Sequence, residues 1–337
     1  MPPAARLPDA QARSLRRAIR IEWFTIGFLA VAITGVYLVM GSSQAMKAAW
    51  VEDLLSLAPP LAFLIAVRII RKPATEKYPY GWFRSVGVAH LVAGVALSTM
   101  GGFLLVDSVT GLIRGERPPI GSVVLFGHTV WAGWLMMAVM GLTIPLPIYF
   151  GRIKMRLARD LHNKVLHADA DMNKADWMTA AGSIVGVAGI GIGLWWADAA
   201  AATFISASIL WDGYCNTRAA ITDLMDTRAT TFDDQEPHPA SQAVAEHLSA
   251  QRWVDSVGVR ARDQGQFFHL EAFVVPHGGA LPTLDELEAA RVRCRELDWK
   301  LHDVVIVLVA ALPEQLRPWS PARVSAPSAD GGASQSG

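Results

Sequence analysis

The stretch VLHADADMNKADWMT, residues 165–179, places several groups that can bind a cation directly before a long apolar run. At about 100° per residue on a helix, Asp169, Asn173 and Asp176 fall within one sector of roughly 60°. His167 and Asp171 share a nearly opposite face. Only one of these faces can point at a given neighbouring helix, so the two sets are alternative candidates for a cation site.

The composition is that of a membrane protein with a soluble part. The chain has 337 residues, of which 52% are hydrophobic, and its mean hydropathy is +0.29. The formal net charge is zero, so no overall positive field indicates a nucleic-acid partner. No nucleophile–base pair, phosphate-binding loop or cofactor motif occurs at usable spacing, which argues against an enzyme and against a bound cofactor.

Apolar segments predict a bundle of six transmembrane helices, since a bilayer is crossed by about 20 apolar residues. The segments are 23–41, 46–70, 86–113, 121–149, 177–196 and 198–214. Basic residues concentrate in the N-terminal arm and in the loops that follow the second and fourth segments. By the positive-inside rule, both termini lie in the cytoplasm and the protein crosses the cell membrane several times.

The second part of the chain has the pattern of a small soluble α+β domain. Residues 239–253 predict a helix, followed by two strands with a turn at Gly265, a helix at 283–302 and a strand at 303–312. Thr283 with Glu286 three residues later predicts a capping box. We therefore expect an N-terminal arm, a transmembrane domain, a cytoplasmic domain and a disordered tail, at residues 1–20, 21–215, 216–316 and 317–337.

Depth along the helices selects between the two faces. At about 1.5 Å per residue, Ser56 and Asp176 each lie about 18 Å from the cytoplasmic end of their segments, and Glu52 lies about 24 Å from it. His167 and Asp171 would lie only about 5 and 10 Å deep. Because Asp176 lies at the same depth as Ser56, these depths favour the face that carries Asp176 as the cation site.

The predicted metal ligands are therefore carboxylate, hydroxyl, amide and thioether groups, namely Glu52, Asp176, Ser56, Met172 and Asn173. Oxygen ligands without cysteine favour Mn²⁺, Fe²⁺ or Mg²⁺-like ions, whereas Zn²⁺ usually takes more nitrogen or sulfur. The shallower groups would form the cytoplasmic approach: Asp169, Asp171 and His167. Asp53 is a weaker candidate. Buried carboxylates also bind protons, so protons and metal can compete for them.

A simpler interpretation stays open at this point. The acidic residues of the second and fifth segments could pair with Lys174 or Arg84, or line a wet vestibule. His90 is more typical of a hydrogen-bonded packing group than of a ligand.

Several motifs resemble those of the cation diffusion facilitator family. They are AWVEDLLSLAPPLAFLIAVRIIRKPATEKYPYG, DWMTAAGSIVGVAGIGIGLWWADAAAA and AAITDLMDTR. The spacing from Asp176 to Asp198 of WWAD matches the family's spacing from its metal-binding aspartate. The four family ligand positions read Glu52, Ser56, Met172 and Asp176 here, so the chain resembles a divergent member.

The resemblance implies six membrane helices, a cytoplasmic ferredoxin-like domain, a homodimer, and export of a divalent cation (Mn, Fe or Zn) in exchange for protons. In the soluble domain it leaves His269 and Glu271 as weaker metal candidates. Two alternatives remain: a non-transporting dimer partner or regulatory scaffold of the same fold, and a monovalent cation/proton antiporter.

Overall fold

The computed structural model describes residues 7–39, 54–115, 122–125, 128–194, 196–279 and 281–316. Contacts divide the chain into two units. The first comprises Met1–Pro237 and Arg262–Phe268, and the second comprises His238–Ala261 and His269–Gly337.

Long helices dominate the first unit. They are α1 Asp9–Val39, α2 Ala58–Ile69, α3 Ser85–Arg114, α4 Ala132–Thr143, α5 Pro145–Leu161, α6 Lys164–Gly191 and α7 Ala197–Leu224. Helix α1 already begins at Asp9, whose carboxylate favours a helix N-terminus. The segment expected to be a separate arm up to residue 20 is therefore largely helical.

The fourth apolar segment differs from the expected single helix over 121–149. It opens with a two-stranded antiparallel hairpin, in which β1 Ser122–Leu125 pairs with β2 His128–Trp131. Helix α4 then ends at Thr143, and a new helix begins at Pro145. Proline lacks the N–H that would continue the helix, and its ring disfavours helical geometry in the preceding turn. An apolar composition alone did not distinguish these elements from one helix.

Helices α3 and α7 approach each other at backbone distance. A Cβ built on Gly101 would lie 2.5 Å from the Leu210 backbone nitrogen, and one on Gly213 would lie 2.5 Å from that of Ser98. Any larger side chain at either position would have to push the two backbones apart. Small residues at such crossings are typical of helices that pack within membranes.

Helix α3 is the one helix among the described residues that is long and apolar enough to cross a membrane. Helix α2 is apolar but has 12 residues. Part of the second expected segment, 46–70, lies outside the described residues.

The second unit has the predicted order helix, strand, strand, helix, strand. Its elements are α8 Pro239–Ser249, β3 Val254–Asp263, β4 Phe268–Pro276, α9 Leu284–Glu296 and β5 Leu301–Leu308, with β4 between β3 and β5. The capping box is confirmed, because Thr283 and Glu286 satisfy each other's backbone N–H groups. The expected boundary at 215 falls inside α7, and contacts assign residues as far as Pro237 to the first unit.

Candidate functional site

One uninterrupted helix, α6, carries the polar groups singled out in the sequence. Asn163 caps it, because its side-chain oxygen accepts a hydrogen bond from the Leu166 N–H at 3.0 Å. Because side chains on a helix point in directions about 100° apart from one residue to the next, its polar groups face different neighbouring helices. The site is therefore best described face by face.

The deepest acidic group of α6 meets the turn that precedes α2. Ser56 Oγ donates to Asp176 Oδ1 at 3.3 Å, and Ser56 is 4% exposed. This is the contact that the depth comparison expects. Glu52 and Asp53, the acidic residues expected beside it, lie outside the described residues.

The other two expected ligands have different surroundings. Met172 is buried in an apolar cluster with Leu97, Met100 and Ile209, where its thioether contributes packing. Asn173 Nδ2 donates to the Asp169 backbone oxygen at 2.8 Å and approaches Asp169 Oδ1 at 3.4 Å. Both acceptors of the Asn173 amide nitrogen thus belong to Asp169, one turn earlier in α6.

The opposite face of α6 carries a chain of polar contacts. His167 Nδ1 lies 3.6 Å from Asp171 Oδ2, which accepts from Asn216 Nδ2 at 2.9 Å. Asn216 Oδ1 lies 3.3 Å from the Nε2 atom of buried His90. His90 is therefore a hydrogen-bonded packing group, and this face is occupied by contacts between α3, α6 and α7.

The two basic residues that could have neutralised the candidate acids have other partners. Lys174 Nζ lies 2.6 Å from Asp212 Oδ2. Arg84 binds Asp226, which Arg262 also contacts at 3.0 Å. These pairs weaken the interpretation that Asp176 merely serves as the counter-ion of Lys174 or Arg84.

A buried ion triad was not anticipated from the sequence. Lys154 Nζ lies 2.9 Å from Glu22 Oε2 and 2.8 Å from Asp169 Oδ2, and all three side chains are at most 2% exposed. Asp169, which the sequence analysis assigns to the cytoplasmic approach, is thus buried in a salt bridge. The sequence contains one hint of the triad, because Glu22 is an acid immediately before an apolar segment. Its partners, however, are over 130 residues away along the chain.

A second cluster surrounds Lys164 at the start of α6. Its ammonium contacts Asp234, Asp223 at 2.5 Å and Thr230 at 3.1 Å. Burial alone would lower the pKa of Lys164, but Asp263, Asp234 and Asp223 together raise it. Burial raises the pKa of Asp223 to about 6, against the opposing effect of Lys164.

In the second unit, His269 lies between two carboxylates. Its Nδ1 is 2.6 Å from Asp303 and its Nε2 is 3.2 Å from Glu271, which also binds Arg260. Over the ranges that the structure describes, no three His, Cys, Asp or Glu side chains converge as a metal-binding group.

Comparison with known proteins supplies the family. The cation efflux transmembrane domain matches residues 21–225. The manganese efflux system protein MneS of Bacillus subtilis is 24% identical over 250 residues, 72% of this chain and 79% of that protein. The uncharacterized transporter YdbO of the same organism is 25% identical over 299 residues, 86% of this chain and 94% of that protein.

The magnetosome protein MamB of Paramagnetospirillum magneticum is 27% identical over 210 residues, 62% of this chain and 66% of that protein. The family domain covers most of the first unit, including Ser56 and Asp176. The chain is therefore a divergent member of the cation diffusion facilitator, or cation efflux, family of membrane proteins that transport metal cations.

Proposed function

We propose that this protein exports a divalent cation from the cytoplasm in exchange for protons, at a site formed by Asp176, Ser56 and Glu52. The observation that carries the proposal is the Ser56–Asp176 hydrogen bond. It joins the two helical segments, α2 and α6, whose counterparts hold the transported ion in the family that the chain resembles. Asn173 and Met172 are proposed to complete the ligand set.

The chemistry of these groups supports a divalent ion. A carboxylate is an anionic ligand, and the Ser56 hydroxyl turns from donor to acceptor when a cation replaces its hydrogen bond to Asp176. An oxygen-dominated set without cysteine suits Mn²⁺ or Fe²⁺ better than Zn²⁺, which usually takes more nitrogen or sulfur ligands. The relative named a manganese efflux system protein supports Mn²⁺ as the first ion to test.

Proton exchange follows from the same groups. A carboxylate within a membrane domain is costly unless it is paired, so departure of the metal favours protonation. Inward protons would displace the cation on the far side, and cytoplasmic cation would displace protons on the near side. Residues His167 and Asp171, nearer the start of α6, would lie along the cytoplasmic approach.

The architecture that goes with this function is also proposed. Six helices would span the cell membrane with both termini in the cytoplasm, and the second unit would be a ferredoxin-like cytoplasmic domain. Exposed large apolar side chains on α1, α3 and α7, including Phe24, Val106 and Phe204, support contact with lipid or with a second copy of the chain. A homodimer would cover part of this surface.

The test is Mn²⁺-driven proton flux in proteoliposomes that contain the full chain. Asp176→Asn keeps the size of the side chain but removes its charge, so we expect loss of flux and of Mn²⁺ binding by calorimetry. Asp160→Asn is the matched control, because Asp160 is an exposed acid at the end of α5. Full flux in Asp176→Asn would exclude the site, and absence of any Mn²⁺ binding in the wild type would favour a non-transporting scaffold.

A further inference from the structure

The buried triad of Glu22, Lys154 and Asp169 joins three helices, α1, α5 and α6. Burying ionised groups is expensive, and a pair of them contributes little stability compared with apolar residues of similar volume. Removal of one partner, by contrast, leaves an uncompensated buried charge. A triad with side-chain exposures of 0%, 0% and 2% therefore calls for a role beyond stability.

The connection from this triad to the proposed cation site runs through Asn173. Lys154 holds Asp169 by its Oδ2 atom at 2.8 Å, while the Oδ1 atom and the backbone oxygen of Asp169 face Asn173 Nδ2 at 3.4 and 2.8 Å. Each oxygen of the Asp169 carboxylate thus has a different neighbour. Because the salt bridge to the Lys154 ammonium holds Oδ2 in place, the position of Oδ1 is fixed as well.

This arrangement determines the orientation of the Asn173 amide. Its nitrogen is directed at Asp169, and no donor among the described residues reaches its oxygen. The side chain is also confined from α5, since a Cβ built on Gly151 would lie 3.2 Å from Asn173 Cβ. Among the described residues the amide oxygen is therefore not used as a hydrogen-bond acceptor, and Asn173 lies on the face of α6 that also carries Asp176 three residues further on.

We propose that Lys154 is a positioning residue for cation transport: through Asp169 it holds the Asn173 amide with its oxygen available as a ligand. The inference rests on the proposed cation site and adds residues to it. Lys154 does not touch the ion. In metal sites, residues that orient the ligands affect affinity without binding the metal themselves. Loss of such a residue typically lowers the affinity for the metal about 10- to 100-fold.

The primary test is a double-mutant cycle on Mn²⁺ transport by the full chain in proteoliposomes. Lys154→Met should raise the KM for Mn²⁺ about tenfold and change the rate at saturating Mn²⁺ by less than about twofold. Asn173→Ala should do the same. If Lys154 acts through Asn173, then Lys154→Met in the Asn173→Ala background should produce no further rise.

Glu22→Gln serves as the matched control for damage to the triad. It replaces the other buried carboxyl group that contacts the same ammonium but leaves the Lys154–Asp169 salt bridge in place. We expect a lower thermal stability in detergent with an unchanged KM. A KM that rises equally in Glu22→Gln and Lys154→Met would assign the triad a purely structural role and overturn the proposal.

A second variant keeps the proposal testable if Lys154→Met does not fold. Gly151→Ala adds one methyl group against Asn173 without altering a buried charge, and should raise the KM about two- to threefold. The rise should vanish in the Asn173→Ala background. Additive effects of Lys154→Met with Asn173→Ala, or an unchanged KM in Lys154→Met, would refute the role of Lys154. An unchanged KM in Gly151→Ala would refute the role of the Asn173 amide, through which Lys154 is proposed to act.

The two proposals fail in different ways. If Asp176→Asn abolishes transport while Lys154→Met and Gly151→Ala leave the KM unchanged, the cation site stands and the positioning role is wrong. If Asp176→Asn transports Mn²⁺ normally, the site itself is wrong.

Discussion

Ser56 and Asp176 are joined by a 3.3 Å hydrogen bond between the turn before α2 and the middle of α6. The serine hydroxyl donates to the carboxylate, so the two groups already share the location where a cation would bind. A bound ion would replace the hydroxyl proton as the partner of Asp176.

Removing the Ser56 hydroxyl should weaken the cation site without destroying it. Ser56→Ala removes one oxygen ligand from the proposed cation site, so it should raise the KM for Mn²⁺ about 10-fold or more, at least the loss typical of groups outside a ligand set. The measurement is Mn²⁺-dependent proton flux in proteoliposomes. Ser206→Ala is the control, because its hydroxyl is equally buried but donates to Thr203 within its own helix. Equal KM values in Ser56→Ala and wild type would contradict the assignment.

The close approach of α3 and α7 should make Gly213 intolerant of a methyl group. Its Cβ would lie 2.5 Å from the Ser98 backbone nitrogen, and overpacking of this kind typically costs about 1–3 kcal/mol. We expect Gly213→Ala to lower the thermal midpoint in detergent by several degrees. Gly27→Ala has no atom within 4 Å of its new Cβ and should unfold at or above the wild-type temperature. Similar midpoints for the two variants would disprove the close contact.

The Lys164 cluster should make stability depend on pH. The pKa of Asp223 is raised from 3.8 to about 6 in the folded protein, so folding favours its protonated form. This contribution to the free energy of unfolding is fully present below about pH 4 and is lost as the pH rises through about 6. The total loss is at most about 3 kcal/mol. Asp223→Asn cannot titrate and should lack this loss.

The measurement is the thermal midpoint of both proteins in detergent at several pH values from 4 to 8. The advantage of Asp223→Asn over the wild type should grow between pH 4 and 6.5 and then level off. Parallel curves for the two proteins would show that Asp223 titrates normally.

In the second unit, His269 is expected to act structurally. Both of its ring nitrogens already face carboxylates, and Glu271 is shared with Arg260. Calorimetric titration of the full chain with Mn²⁺ should therefore give the same number of sites for His269→Ala as for wild type. The variant should unfold at a lower temperature, since Asp303 and Glu271 each lose their contact with the imidazole while Glu271 keeps Arg260. Loss of one Mn²⁺ site would instead identify a metal centre in the second unit.

Local signals in the sequence predicted the second unit well. The order of its helices and strands follows from short-range patterns, and the Thr283–Glu286 capping box needs only a three-residue spacing. The Ser56–Asp176 contact could also be predicted, because depth along a helix is proportional to residue number.

Other features depend on information that local patterns lack. Residues 121–149 are apolar throughout, and hydropathy does not distinguish a hairpin followed by two helices from one long helix. Lys154 lies just after the fourth apolar segment, where the sequence predicts a basic cytoplasmic loop, yet α5 extends to Leu161 and buries this side chain. Its partners, Glu22 and Asp169, come from two other helices, so only the fold brings the three charges together.

The glycine contacts between α3 and α7 also limit how the protein can move. Two backbones that touch at Gly101 and Gly213 cannot slide along each other without losing the contact or colliding. We expect this pair to behave as a fixed frame throughout the transport cycle. The rearrangement that would expose the proposed cation site first to one side and then to the other would then fall to α6, which carries Asp176, and to α2 with the preceding turn that carries Ser56.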